Sequence, residues 1–306
     1  MASYQIDIIP SNQINKTKWN NCIEHAANGL IYGYSFYLDI VSKHWEGLVM
    51  NDYEAVMPLT WKSKYGIFYL SQPFFTPSLG IFGNDLSAKI VKLFLDSIPE
   101  KFKYWDIYLN HGNLFPLKGF GLYERNNYVL DMNNNYEKII GSFSKNHIRN
   151  IKKAEHAGCY IQKNIPAARV IELAKSQSKK FTSISDNEFK NFLKLSEYLL
   201  KQGNAETYGV YNAQKKLISS CVYFYSHKRA YFILTGNHPD SKTTGASHYL
   251  INGFIKEHAG KRLLLDFEGS MIKGVAQFYI KFGAKEEKYA ALKLNKLPAV
   301  LKLFKK

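Results

Sequence analysis

The stretch LLLDFEGSMIKGVAQFYIKFGAKEEKYAALKL, residues 263–294, sets an apolar run, two carboxylates, a glycine, a short amphipathic segment and a second strand-like run side by side. Leu263 to Leu265 is a short apolar run of the kind a buried strand shows. Val275, Phe278, Tyr279 and Phe282 fall at i, i+3, i+4 and i+7, the spacing of a helix stripe that faces a core. EEKYAALKL then reads as a further strand. Side chains alternate along a strand, so Asp266 and Glu268 are expected on one face with Phe267 on the other. Like-charge proximity is then expected to shift the pKa of one carboxyl. Gly269 feeds the turn that follows.

Working outward, the same periods recur. A helix through SHYLINGFIKEHAG precedes the stretch, after the polar segment NHPDSKTTGAS. Before it lie three strand-like runs, ETYGVYN, LISSCVYFYSH and RAYFILTGN, joined by short polar turns as in an antiparallel meander. Further upstream come the helix SDNEFKNFLKLSEYLLKQG, the helix PAARVIELAKSQSKKF with Pro166 in its first turn, the strand CYIQK and a basic helix, FSKNHIRNIKKAEHAG.

The first half gives nearly the same order. It runs from strand YQIDIIP through two helices to strands GLVM, YEAVMPLTW and GIFYL, helix LSAKIVKLFLDSIPEKF and strands YWDIYL and NYVLDM. HGNLFPLKGFG stands where the second half has a helix. The predicted fold class is α/β (α+β): two tandem copies of one plan, residues 1–141 and 142–306, each a mixed, mostly antiparallel sheet flanked by helices. The boundary falls in the Asn-rich MNNNYEKIIGSFSK.

A chain of 306 residues with 46% hydrophobic and 15% aromatic content supports two cores of this size. Its apolar runs are far shorter than the roughly 20 residues a membrane helix needs. MASYQIDIIPSNQ lacks the layout of a secretory signal, and a cytoplasmic location is expected. Cys22, Cys159 and Cys221 are too scattered for a disulfide framework. The nine histidines show no zinc-ligand spacing, so no metal is expected. The net charge of +16 is compatible with an anionic partner. Only five of the 41 basic residues are arginine, the residue type that carries specific phosphate recognition.

The order β, α, α, β, β, β, α, β, α, β resembles the GNAT (acyl-CoA N-acyltransferase) fold, and a tandem of two such domains resembles the Fem-type (FemABX-like) aminoacyltransferases. FSKNHIRNIKKAEHAG is similar to that family's basic helix at the entry to the second domain, LDFEGS to its DFxG strand end, and VAQFYIKFGA to its FKKGFG helix. Tyr279 stands where the peptidoglycan-acting members carry lysine, and the nearest lysine is Lys281. The resemblance implies transfer of an acyl or aminoacyl group to an amine. Aminoacyl-tRNA is the implied donor, a cell-wall precursor such as a nucleotide-linked muropeptide the implied acceptor, and no cofactor is bound tightly. An acyl-CoA-dependent N-acyltransferase is the rival reading. A non-catalytic RNA-binding or scaffold protein is a third.

The candidate residues follow from these readings. Asp266 and Glu268 could orient or deprotonate an amine, and Tyr279 could donate to a carbonyl oxygen; a solvated strand end and a core tyrosine are the plainer alternatives. Lys242, Gly245, Ala246 and Ser247, in KTTGAS, sit where a helix start would present free N–H groups to a CoA pyrophosphate, or simply where Thr244 or Ser247 caps a helix. Lys145, Arg149, Lys152 and Lys153 form a stripe at helical spacing suited to phosphates or to plain solvation. His238 and Lys281 complete the substrate-binding candidates.

Overall fold

The computed structural model describes residues 4–178, 184–269 and 271–298. The chain forms two compact units, Met1–Arg125 with Lys288–Lys306, and Asn126–Glu287. It therefore passes between units at 125/126 and again at 287/288, where the sequence suggests a single boundary at 141/142.

The first unit begins with β1 (Ile6–Pro10), the helices α1 (Lys16–His25) and α2 (Ser35–Val41), and the strands β2 (Trp45–Met50), β3 (Ala55–Lys64) and β4 (Ile67–Ser71). The short β5 (Phe82–Gly83), helix α3 (Ala88–Asp96) and β6 (Phe102–Tyr108) follow. β7 (Leu122–Asp131) leads into the second unit, which continues with α4 (Tyr136–Ile140), α5 (Lys145–His156), β8 (Tyr160–Lys163), α6 (Ala167–Ser178) and α7 (Asp186–Lys201). Next come β9 (Ala205–Tyr211), β10 (Leu217–Ser226), β11 (Arg229–Asn237), α8 (Pro239–Thr244) and α9 (Ala246–His258). β12 (Leu264–Asp266), α10 (Lys273–Ile280) and β13 (Lys285–Asn295) complete the described chain. Residues 179–181 of the helix expected from 166 lie outside the described residues.

Each unit repeats one plan. In the first, β1 to β4 are successive antiparallel neighbours, β6 joins β4 in parallel after the α3 crossover, and β13 pairs antiparallel with β6. In the second, β8 to β11 are antiparallel neighbours, β12 joins β11 in parallel after α8 and α9, and β7 pairs antiparallel with β12. The closing strands are therefore exchanged relative to the sequence reading, in which NYVLDM finishes the first copy and EEKYAALKL the second. Burial supplies the reason. Tyr128 and Leu130 of β7 lie in the core of the second unit, and Ala290 and Leu292 of β13 in that of the first.

Local chemistry fixes the helix ends. Asn15 caps α1 by accepting from the Lys18 N–H, and Ser185 and Glu188 form a reciprocal capping box on α7. Among the described residues, no helix is long and apolar enough to cross a membrane.

Candidate active site

The second unit holds a cavity of about 900 Å³ at the carboxyl end of β11. That volume lies within the range of small-molecule sites, roughly 300–1,000 Å³. Its floor is β11, through Phe232, Thr235 and Asn237, with Ser219 from β10. α6 supplies Ser176 and Gln177 to its wall. α6 can approach because residue 236 is glycine: a Cβ there would sit 2.5 Å from the Ala174 backbone nitrogen. His238 and Ser241 enter from the α8 region and Val275, Phe278 and Tyr279 from α10.

α8 reads as a loop from the sequence because its six residues show no apolar stripe. It forms because His238 caps it, Nδ1 accepting from the Asp240 N–H, and Pro239 occupies its first turn. Gly245 then stops α8 in a left-handed conformation, φ +82°, and serves as the N-cap of α9 without any side-chain hydrogen bond. This corrects the expectation that Thr244 or Ser247 caps the helix. Thr244 instead donates its hydroxyl to the Asp240 carbonyl, and Ser247 donates to Asn237 Oδ1 at 2.7 Å. A Cβ at position 245 would lie 2.3 Å from the Asn150 carbonyl oxygen, so the start of α9 packs directly on α5.

Of the sequence candidates, Lys242, Ser247, His238 and Tyr279 line the cavity. Gly245 and Ala246 are buried beneath it. Tyr279 stacks on Phe267 with ring centroids 4.5 Å apart. Burial, reinforced by the Glu268 carboxylate, pushes its phenol pKa up, so it stays a proton donor at neutral pH.

Lys145, Arg149, Lys152 and Lys153 of α5 line a separate depression of about 680 Å³. The Arg149 guanidinium donates to Asn146 Oδ1 at 2.7 Å. Lys281 caps the end of α10, and its carbonyl accepts the Ser144 N–H that opens α5.

Asp266 and Glu268 do not form the expected pair on one strand face. β12 ends at Asp266, Glu268 adopts φ +65°, and the Glu268 N–H donates to Asp266 Oδ1. Asp266 is 4% exposed and accepts from Arg229 at 2.5 Å. Arg229 also makes a two-pronged contact with Glu287, at 2.8 and 2.9 Å. Removing one partner from such a group leaves a buried charge uncompensated. Asp266 therefore anchors the meeting of β11, β12 and β13.

The cavity also contains a residue the sequence did not single out. His248, on the first turn of α9, packs edge-on against His147 at 4.5 Å and against Phe278 at 4.9 Å. Burial, aided by His147, lowers its pKa to about 4, so its imidazole is neutral at pH 7. His147 itself is fixed by its ring nitrogens, Nε2 donating to the Phe278 carbonyl at 2.9 Å and Nδ1 facing Ser144 Oγ. A polar side chain next to the buried Leu250 and Ile251 is the one signal in the sequence that marks His248.

No protein-family model matches the chain, and no curated protein does. Solved structures do. FemX is 12% identical and aligns over 99% of this chain and 100% of its own with a TM-score of 0.67. The C-terminal domain of a proposed lysylphosphatidylglycerol synthetase from Agrobacterium fabrum is 10% identical over 94% of this chain and 93% of its own, at 0.58. L-PGS from Bacillus licheniformis is 10% identical over 95% and 94%, at 0.55. At these identities the shared property is the architecture: this chain has the fold of FemX, of the Agrobacterium fabrum domain and of L-PGS.

Proposed function

We propose that the protein is an acyltransferase, a tandem of two copies of the GNAT plan whose second unit moves an acyl or aminoacyl group from an activated donor onto an amine. The observation that carries this reading is the cavity at the end of β11, which brings the His248 imidazole and the Tyr279 phenol to one space. The amine nitrogen attacks the acyl carbonyl carbon, the bond from that carbon to the donor sulfur or oxygen breaks, and the proton lost by nitrogen ends on the departing thiol or hydroxyl. His248 accepts a hydrogen bond from the attacking amine and so points its lone pair at the acyl carbon. Tyr279 donates to the oxygen on which negative charge develops. Positioning of an already activated donor supplies the rest. Glu268, beside Tyr279, tunes that phenol, and Asp266 holds the strand end behind it.

Two donors are supported by different surfaces. An acyl-CoA is favoured by the cavity: Lys242 lines it, and Gly245 and Ala246 form the start of α9, where helix N–H groups attract phosphate. An aminoacyl-tRNA is favoured by the α5 depression with Lys145, Arg149, Lys152 and Lys153. Under that second reading His238 and Lys281 flank the acceptor, and a nucleotide-linked muropeptide is the natural acceptor to try.

The test is direct transfer. The full chain is incubated with labelled acetyl-CoA or a charged tRNA mixture, together with a panel of amines that includes the muropeptide. Labelled amide from either donor, reduced in His248→Ala and Tyr279→Phe, is the expected result. Binding to RNA that weakens steeply with salt, without product from any donor, would contradict the enzyme reading in favour of a non-catalytic one.

A further inference from the structure

The transfer step uses one side of the cavity, where His248, Phe278 and Tyr279 meet. The other side, at the end of β11, is a hydroxyl and amide cluster that the reaction itself does not require. Asn237 Oδ1 accepts from Ser219 Oγ at 2.7 Å and from Ser247 Oγ at 2.7 Å, while Ser241 Oγ, 3.3 Å from the same oxygen, donates to Ser247 Oγ at 2.8 Å. The backbone N–H of Asn237 donates to Gln177 Oε1 at 2.8 Å, which fixes that side chain at the rim. Four elements, β10, β11, α8 and α9, thus converge on one amide.

With its oxygen occupied by hydroxyl donors, the Asn237 amide is oriented so that its Nδ2 hydrogens are the groups left to meet a ligand. The serine oxygens, having donated their protons, keep lone pairs as acceptors. Among the described residues that line the cavity there is no Asp or Glu, and Lys242 is the one lining side chain with a fixed charge.

From this we infer that this end of the cavity selects an acyl or aminoacyl group whose side chain is uncharged and bears a hydroxyl or amide, read by Asn237 and its three serines. The inference rests on the acyl-transfer reading and names the class of group transferred. A plain hydrocarbon reaching this end displaces water from the half-buried Asn237 amide without replacing its hydrogen bonds. A cationic group at this end meets Lys242 and no carboxylate among the described lining residues, so its desolvation is poorly compensated. A hydroxyl or carboxamide can both accept from Nδ2 and donate to a serine oxygen. Sites built to hydrogen-bond a substituent reject the analogue lacking it far more strongly than apolar pockets sort by size.

The experiment is calorimetric binding of non-reactive donor analogues to the full chain. They carry near-isosteric 3-hydroxypropanoyl, butanoyl or 3-aminopropanoyl groups on two scaffolds, a CoA thioether and a tRNA 3′-end amide. On whichever scaffold binds, the hydroxy analogue should bind at least about tenfold more tightly than the hydrocarbon and about a hundredfold more tightly than the cation. Asn237→Leu should erase the preference for hydroxyl over methyl, and Asn237→Asp should turn the preference toward the cation. Ser247→Val, which removes one hydroxyl from the cluster, should weaken the hydroxyl preference and serves if a variant at 237 does not fold. Equal binding of all three analogues to the wild type, or an unchanged preference in both Asn237→Leu and Ser247→Val, overturns the inference and leaves acyl transfer standing. Failure of every analogue on both scaffolds overturns the acyl-transfer reading, and this inference with it.

Discussion

Each unit contains a cluster built around asparagine, and the two clusters differ in where their hydrogen bonds end. In the first unit Asn28, Asn110 and Asn113 are buried. Asn110 Nδ2 donates to the Leu79 and Ile81 carbonyls, Asn28 Nδ2 donates to Ile81 and to Asn110 Oδ1, and Asn113 Oδ1 accepts the Ile81 N–H. The partners are mostly backbone, so this cluster closes on itself and locks the segment around residues 79–83. A Cβ at Gly80 would lie 2.2 Å from Asn113 Oδ1, which shows how tightly it is locked. In the second unit the Asn237 cluster uses side-chain hydroxyls on one side only and faces a cavity. A polar cluster whose bonding capacity is consumed internally is scaffold, whereas one that keeps donors and acceptors facing open space is a binding surface.

That contrast can be broken by mutation. The largest effect is expected where the network is closed and charged: Arg229→Ala strands Asp266 and Glu287 and should cost about 3–5 kcal/mol in denaturant unfolding of the second unit. Asn110→Ala, which takes the side-chain partner from the Leu79 carbonyl and from the Gly112 N–H, should cost about 2–3 kcal/mol. Tyr279→Phe should leave stability nearly unchanged yet slow transfer about a hundredfold, the scale set by loss of one oxyanion donor. Asn237→Ala should cost about 1 kcal/mol or less, because water can take the place of the amide at the cavity wall. A cost at position 237 as large as at 110 would erase the distinction between the clusters.

The last effect concerns pH. His248 titrates near 4 in the folded chain against about 6.5 when unfolded. Below about 6.5 the unfolded chain therefore binds a proton that the folded chain does not, and stability falls as pH drops from 6.5 toward 4. Burial lowers His147 in the same direction. Melting curves across that window should show the decline, and His248→Phe should flatten it.

The sequence made the order of elements legible because strand and helix periods are local properties. Val275, Phe278 and Tyr279 lie on α10 as their spacing requires, and Cys221 is fully buried on β10. The exchange of β7 and β13 was not legible, since each carries one short apolar run, YVL and YAAL, and nothing in such a run says which core receives it. The Asp266–Arg229 ion pair is invisible in the sequence, because the two, 37 positions apart, become neighbours only through the parallel pairing of β11 with β12. The Asn237 cluster was hidden for the same reason: Ser219, Asn237, Ser241 and Ser247 are unremarkable serines and an asparagine until four elements bring them together. Lys242, Ser247, His238 and Tyr279 were within reach because each sits at a helix start or on a helix stripe.

The most direct test of the central claim, that the cavity at the end of β11 is where the acyl donor binds, is hydrogen–deuterium exchange of the full chain with and without a non-reactive acyl donor analogue. Protection confined to the end of β11, to α8 and the first turns of α9, and to α10 is the predicted result. Protection elsewhere, with residues 232–251 and 273–280 exchanging as in the free protein, would contradict it.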